Sequence, residues 1–154
     1  GATVFLVTDR VGESNVWDAE LGETIPLLEW DQIRELAAQG VEFGSHTCTH
    51  PVLGALSPEE VVEEGARSRW TLQEKLGDPV WAVAYPYGNT GPAVQQWMGG
   101  CGYELGFTAR TELWRPYVQP LAIPRINVSG HGDIHSFREG LPALDLPVEE
   151  GTLE

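Results

Sequence analysis

The chain has 154 residues, 42% of them hydrophobic, and its 9 Lys and Arg against 23 Asp and Glu leave a net charge of −14. That size suits one domain with a real core, since such a chain buries roughly 70% of its unfolded surface, and the composition argues against disorder. The acidity argues against electrostatic binding of nucleic acid or of an anionic bilayer, both of which need clustered Lys and Arg.

No apolar run approaches the ~20 residues that span a bilayer. Cys48 and Cys101 are too few for a disulfide framework and read as free thiols. The chain opens at Gly1 directly before an apolar run, the appearance of a polypeptide from which something upstream has been removed.

In chain order, residues 3–7 are short, apolar and β-branched, and predict a buried strand. Residues 9–26 are polar and predict a long loop carrying Asp9, Asp18 and Glu20. Ile33, Leu36 and Ala37 share a face of a helix predicted over 30–39, which Gly40 stops. A second strand follows at 41–44, and then a stretch from Ser45 to Pro51 that reads as too polar for core.

Ser57, Pro58 and Glu60 form a capping box with proline at the first helical position. The helix they start runs to about residue 76, where Gly77 ends it, with Val61, Ala66, Trp70 and Leu72 or Gln73 on its inner stripe. Residues 80–84 predict a third strand, 92–98 a short helix, 103–108 a fourth strand, 121–128 a fifth, and 137–141 a last helical turn. The acidic stretch 142–154 reads as a mobile tail behind a domain over 1–141. Strands alternating with helices predict an α/β protein with a parallel sheet, whose functional groups gather at the carboxyl ends of the strands. Asp9, the pair His46 and His50, and the run Tyr85 to Gly88 all fall there.

Spacing four lets two imidazoles converge on one ion, and Ser45, Thr47 and Thr49 beside His46 and His50 could orient the rings. If the stretch stayed extended, Cys48 would join the same face; Pro51 and the polarity favour Cys48 as a small packed residue. A catalytic zinc usually takes three protein ligands, and Asp9 is the best-placed acid for the third, with Asp18 and Glu20 next. Pro86-Tyr87-Gly88 predicts a tight turn that can aim a backbone N–H at a developing oxyanion, while Tyr85 and Tyr87 offer flat surfaces of the kind on which sugars stack. Arg125 lies among apolar residues as if held by a buried carboxylate; His131 and His135 repeat spacing four and offer a general acid, a second metal pair or, by the plainer reading, a surface turn.

Together these segments resemble the polysaccharide deacetylases, the NodB-homology or carbohydrate esterase family 4 proteins. Ser45-His46-Thr47-Cys48-Thr49-His50-Pro51-Val52-Leu53 is similar to the family's metal motif, and Ala84-Tyr85-Pro86-Tyr87-Gly88 to its R-x-P-[YF]-G motif. The resemblance implies a distorted (β/α) barrel, incomplete here at its N-terminus, and a divalent metal, zinc above others, held by His46 and His50. It implies removal of N- or O-linked acetyl groups from an acetylated polysaccharide or oligosaccharide, and a cell-envelope or secreted setting. Tyr87 would then stabilise the oxyanion, Tyr85 and Pro86 would border the substrate, Thr47 would support the ligands, and His135, ahead of His131, would protonate the leaving group.

Several departures accompany the resemblance. The family's T-F-D-D-G strand end, source of the third ligand and the base, does not occur, and no Asp-Asp pair occurs anywhere in the chain. Ala84 stands where the family has arginine, a place Arg125 could fill in space. The family's aspartate-and-tryptophan and leucine-x-x-histidine motifs are not recognisable. The expectation is therefore the carboxyl-terminal part of a deacetylase domain with impaired activity. A non-catalytic carbohydrate-binding module with exposed Tyr85, Tyr87 and Trp114, and an unrelated zinc hydrolase using Asp9, are the competing readings.

Overall fold

The computed structural model describes residues 1–20, 22–112, 115, 119–128, 133 and 135. Four parallel strands, β1 (Thr3–Leu6), β2 (Glu42–Ser45), β3 (Ala82–Ala84) and β4 (Leu105–Phe107), form one sheet in the order β1-β2-β3-β4. Sequential parallel order with helices between strands is the order a (β/α) barrel uses; the described strands form an open sheet of four. Three helices connect them: α1 (Trp30–Ala38), α2 (Pro58–Leu76) and α3 (Pro92–Gly100). Thr3 pairs with Glu42 and Leu6 with Ser45, then Ser45 with Val83 and Ala84 with Phe107. This register brings the carboxyl ends of all four strands to one rim.

One sheet face carries Leu6, Val83 and Tyr85 into a core with Ile33 of α1, Val61 and Leu72 of α2, and Val94 and Met98 of α3. Leu53, Val80 and Tyr103 close it. On the opposite face Phe5 meets Phe107, with ring centroids 5.5 Å apart.

α2 begins where its sequence says it should. Glu60 N–H donates to Ser57 Oγ, Ser57 N–H donates to the Glu60 carboxylate at 2.8 Å, and Pro58 takes the first turn, where its missing N–H costs nothing. Gly77 ends the helix in the left-handed region, φ 79°. Its inner stripe is Val61, Gly65, Ser68 and Leu72, which corrects the expected Ala66 and Trp70. Both are exposed, Trp70 to 61%. The buried row passes through small residues because α3 and the loop after β2 lie close against it. Ser57→Ala is expected to cost about 1 kcal/mol, a fall of roughly 2–4 °C in Tm for a chain of this size; a thermal melt checks it.

Two further expectations are corrected. Residues 121–128 are not a strand: a 3₁₀ turn at Pro120–Ala122 leads into a single parallel bridge, Ile123 with Phe107, and Pro124 has no N–H to continue a ladder. The stretch after β2 is buried despite its polarity, because its own hydroxyls and backbone satisfy one another: Ser45, Thr47 and Cys48 have no exposed surface and His50 has 8%. The described residues of 9–26 form the expected loop, with 3₁₀ turns at Thr8–Arg10 and Val16–Asp18 and a Ser14–Pro26 bridge. The expected turn at 137–141, the tail at 142–154, Trp114 and His131 lie outside the described residues.

Candidate functional site

The site is built where β2 runs out. His46 N–H still donates to Leu6 O at 2.8 Å, as if the ladder continued. The chain then coils tightly, with Thr47 at φ 69° and His50 at φ 66°. A third non-glycine residue in the left-handed region, Tyr87 at φ 57°, faces them from the end of β3. All three such residues among those described adjoin this one spot. Strained backbone of this kind persists only where its surroundings over-determine it, and it gathers at functional sites.

The surroundings come from β1 and α2. Thr8 N–H donates to Thr47 O and Asp9 N–H to Cys48 O. Thr47 N–H donates to Ser45 Oγ, and Ser68 Oγ of α2 lies 2.7 Å from Ser45 Oγ and donates to Thr47 O. Glu64 accepts from Cys48 N–H at 2.8 Å, Thr49 N–H at 3.0 Å and Thr49 Oγ1 at 2.7 Å. Thr47 Oγ1 accepts the His50 N–H.

Within that frame the two imidazoles converge. His46 Nδ1 lies 2.6 Å from Ala84 O. A carbonyl only accepts, so Nδ1 carries the proton and Nε2 is left as an acceptor. It lies 3.1 Å from His50 Nε2, which donates to it in the metal-free chain. Trp17 stacks on the His50 ring, centroids 4.5 Å apart and planes 21° apart, and Tyr87 meets it edge-on at 4.8 Å. His50 Nδ1 is buried with no hydrogen-bond partner.

Burial lowers the His46 pKa to about 4, with His50 and Arg125 pushing the same way and the Ala84 carbonyl opposing. Burial also lowers His50, against Asp18 and its own backbone carbonyl. Both rings are therefore neutral at pH 7. Lowered folded-state values mean that the unfolded chain binds more protons below pH 6.5, so stability present above that pH is lost as pH falls toward 4. For His46 this amounts to about 2 kcal/mol between pH 7 and pH 5 in metal-free protein. Urea midpoints at the two pH values, compared with those of His46→Gln, measure it; equal pH dependence in the two proteins contradicts it.

The pair fits a divalent ion on three counts. Ligating nitrogens about 2.0–2.1 Å from zinc stand roughly 3.3 Å apart, close to the observed 3.1 Å. Both rings are neutral. His46 also spends its other nitrogen on a backbone carbonyl, as metal-bound histidines usually do. No group of three or more His, Cys, Asp or Glu that could hold a metal occurs among the described residues.

Asp9, the expected third ligand, corrects that expectation: its carboxylate is bound at both oxygens by Arg67 of α2, at 2.8 and 3.3 Å. Asp18 accepts from Asn15 and acts electrostatically on His50. Cys48 is packed rather than ligating: burial raises its thiol to about 11, and Sγ faces Glu64 O.

Other expected residues distribute as follows. Tyr87 is 56% exposed at the rim. The bonds closing its turn run from Gly88 N to Tyr85 O and from Asn89 N to Pro86 O, leaving the Tyr87 N–H outside them. Tyr85 is 1% exposed and Pro86 is fully buried, so neither presents a face to a sugar; Tyr85 donates its hydroxyl to Leu121 O at 2.8 Å. Arg125 is held not by a carboxylate but by Thr108 O, to which Nε donates at 2.9 Å, within electrostatic reach of His46. His135 is exposed, and no contact among the described residues joins it to the pair.

Sequence reasoning missed Trp17, Glu64 and Ser68. Ser68 carried a signal, a hydroxyl in register with the buried Val61 and Leu72. Glu64 and Trp17 carried none beyond their neighbours.

The family model described as polysaccharide deacetylase matches residues 1–106. Bacillus subtilis (strain 168) YxkH, provisionally named a polysaccharide deacetylase, is 24% identical over 107 residues, 70% of this chain and 34% of its own length. The Streptococcus pyogenes deacetylase PplD, solved with acetate, superposes with a TM-score of 0.77 at 24% identity, covering 92% of this chain and 58% of that one. IcaB from Ammonifex degensii gives 0.69 at 28% identity, covering 83% and 56%. The chain thus spans about a third of the curated relative it matches.

Proposed function

Since this chain belongs to the polysaccharide deacetylase family, we propose that it contributes the histidine-bearing part of a hydrolytic centre that removes acetyl groups from a carbohydrate. The observation that carries the reading is the convergence of two neutral imidazoles through Nε2, with the His46 tautomer fixed by Ala84. Hydrolysis breaks the bond between the acetyl carbon and the sugar nitrogen or oxygen, adds water across it, and yields acetate and a free amine or hydroxyl.

In this reading His46 and His50 hold a divalent ion of the kind that suits imidazole, zinc first among them by the family resemblance. When bound, such an ion acidifies water and polarises the acetyl carbonyl. The residues of the chain do the rest. Trp17 covers one face of His50 and excludes water from it. The Tyr87 N–H, which closes neither hydrogen bond of its turn, donates to the oxygen that gains charge as the carbonyl carbon becomes tetrahedral. Arg125 adds positive charge within electrostatic reach of His46. His135 is the candidate to protonate the leaving amine or alkoxide.

A third ligand and a base are not among these residues, so the chain by itself is proposed to hold the ion loosely and turn over slowly. The experiment is acetate release from acetylated chitooligosaccharide and acetylated xylan, with zinc and with a chelator. The expected result is release that the chelator suppresses and His46→Ala removes. Release indifferent to both overturns the reading. The absence of a third ligand among the described residues and the exposed Tyr87 ring favour a second reading, a non-catalytic carbohydrate-binding module. Sugar affinity without turnover identifies it.

A further inference from the structure

We propose that Glu64 is a positioning residue for the histidine pair, setting the direction of His50 from the far side of the loop. This rests on reading the pair as an ion site, and the test separates the two claims.

The argument starts from the strain. Between His46 and His50 the chain makes two left-handed excursions at residues with β-carbons, Thr47 and His50. In this conformation His46 and His50 bring their Nε2 atoms to 3.1 Å from each other. Such a loop relaxes unless it is held. Its own hydroxyls supply part of the hold, through Ser45 and Thr47. The peptides between the two strained residues, those of Cys48 and Thr49, turn their N–H groups away from the rings, and both are taken by one carboxylate oxygen of Glu64. The other oxygen takes the Thr49 hydroxyl at 2.7 Å.

Glu64 thus makes three bonds to two adjacent residues, and charged acceptors form the stronger kind of hydrogen bond. Its own backbone carbonyl faces the Cys48 thiol. Ser68, one turn further along α2, holds Thr47 O, so the helix grips the loop on both sides of its bend. Glu64 touches neither ring. It acts through the backbone that carries them, as outer residues of metal sites do.

The test uses zinc titration by calorimetry and amide hydrogen exchange of the metal-free chain, on wild type, Glu64→Ala, Glu64→Gln and Thr49→Val. Glu64→Ala is expected to weaken zinc binding about 10- to 100-fold and to speed exchange at Cys48 and Thr49 by at least about tenfold, with helical circular dichroism retained. Glu64→Gln is expected to stay within about threefold of wild type. Its amide oxygen can accept both N–H groups while its NH₂ donates to Thr49 Oγ1. Thr49→Val removes one bond of three and is expected to fall between; it decides the matter if Glu64→Ala does not fold. Unchanged zinc affinity and unchanged exchange in Glu64→Ala, or in Thr49→Val if that variant alone folds, overturn the proposal and leave the ion site standing. If wild type binds no zinc, the ion reading fails, and exchange alone still decides whether Glu64 holds the loop.

Discussion

His46→Ala is expected to abolish measurable zinc binding, a loss of at least about 100-fold, because it removes one of the two imidazoles that converge among the described residues. The ring is not a detachable surface group. Its Nδ1–H is committed to Ala84 O of β3, so the ligand is braced by the neighbouring strand and not only by its own. Its pKa of about 4 means that protons do not compete for Nε2 until the solution is strongly acidic. A single remaining imidazole, that of His50, binds no better than a free histidine side chain. His135→Ala should leave affinity untouched, since nothing described joins it to the pair. Calorimetric titration of the three proteins checks this; retained affinity in His46→Ala places the ion elsewhere.

The largest expected effect on folding is that of Gly88→Ala. The turn after β3 passes through two consecutive left-handed residues, Tyr87 at φ 57° and Gly88 at φ 65°. Tyr87 already carries the strain of a side chain there. A β-carbon on Gly88 adds a second penalty of about 1 kcal/mol for the backbone. It would also stand 2.5 Å from the backbone nitrogen of Ala109, which cannot swing aside as a side chain could. With overpacking worth roughly 1–3 kcal/mol, the sum is about 2–4 kcal/mol. The turn must shift, carrying with it the Tyr87 N–H and the Asn89 side chain that accepts from Gly54 N–H. Urea denaturation measures the loss; a change below about 0.5 kcal/mol means that the turn tolerates the methyl group.

The parallel order, the helix boundaries and the convergence of His46 with His50 were legible because each rests on local chemistry. Ser57 and Glu60 cap a helix wherever they stand, and a histidine just past a strand end must lie on the rim. The burial of the stretch after β2 was not legible. Its polarity signals exposure until one knows that Ser45, Thr47, Ser68 and Glu64 satisfy it from elements far apart in sequence. Tyr85 misled for the opposite reason: an aromatic in a turn motif suggests a surface, yet its hydroxyl has a partner 36 residues on and its ring is core. Asp9 had the right position for a ligand, and only the fold brings Arg67, 58 residues away, to take its carboxylate. Trp70 followed the helical period one step off the true stripe, because Gly65 and Ser68 hide that stripe among small residues.

The sheet order leaves β1 bonded on one side only, to β2, among the described residues. An unpaired strand flank is a template for another strand, and β1 at Thr3–Leu6 is four residues long. The net charge of −14 adds a repulsion between copies that reaches only about 8–10 Å at physiological ionic strength. That repulsion weakens with added salt and as the medium approaches the isoelectric point near pH 4.5.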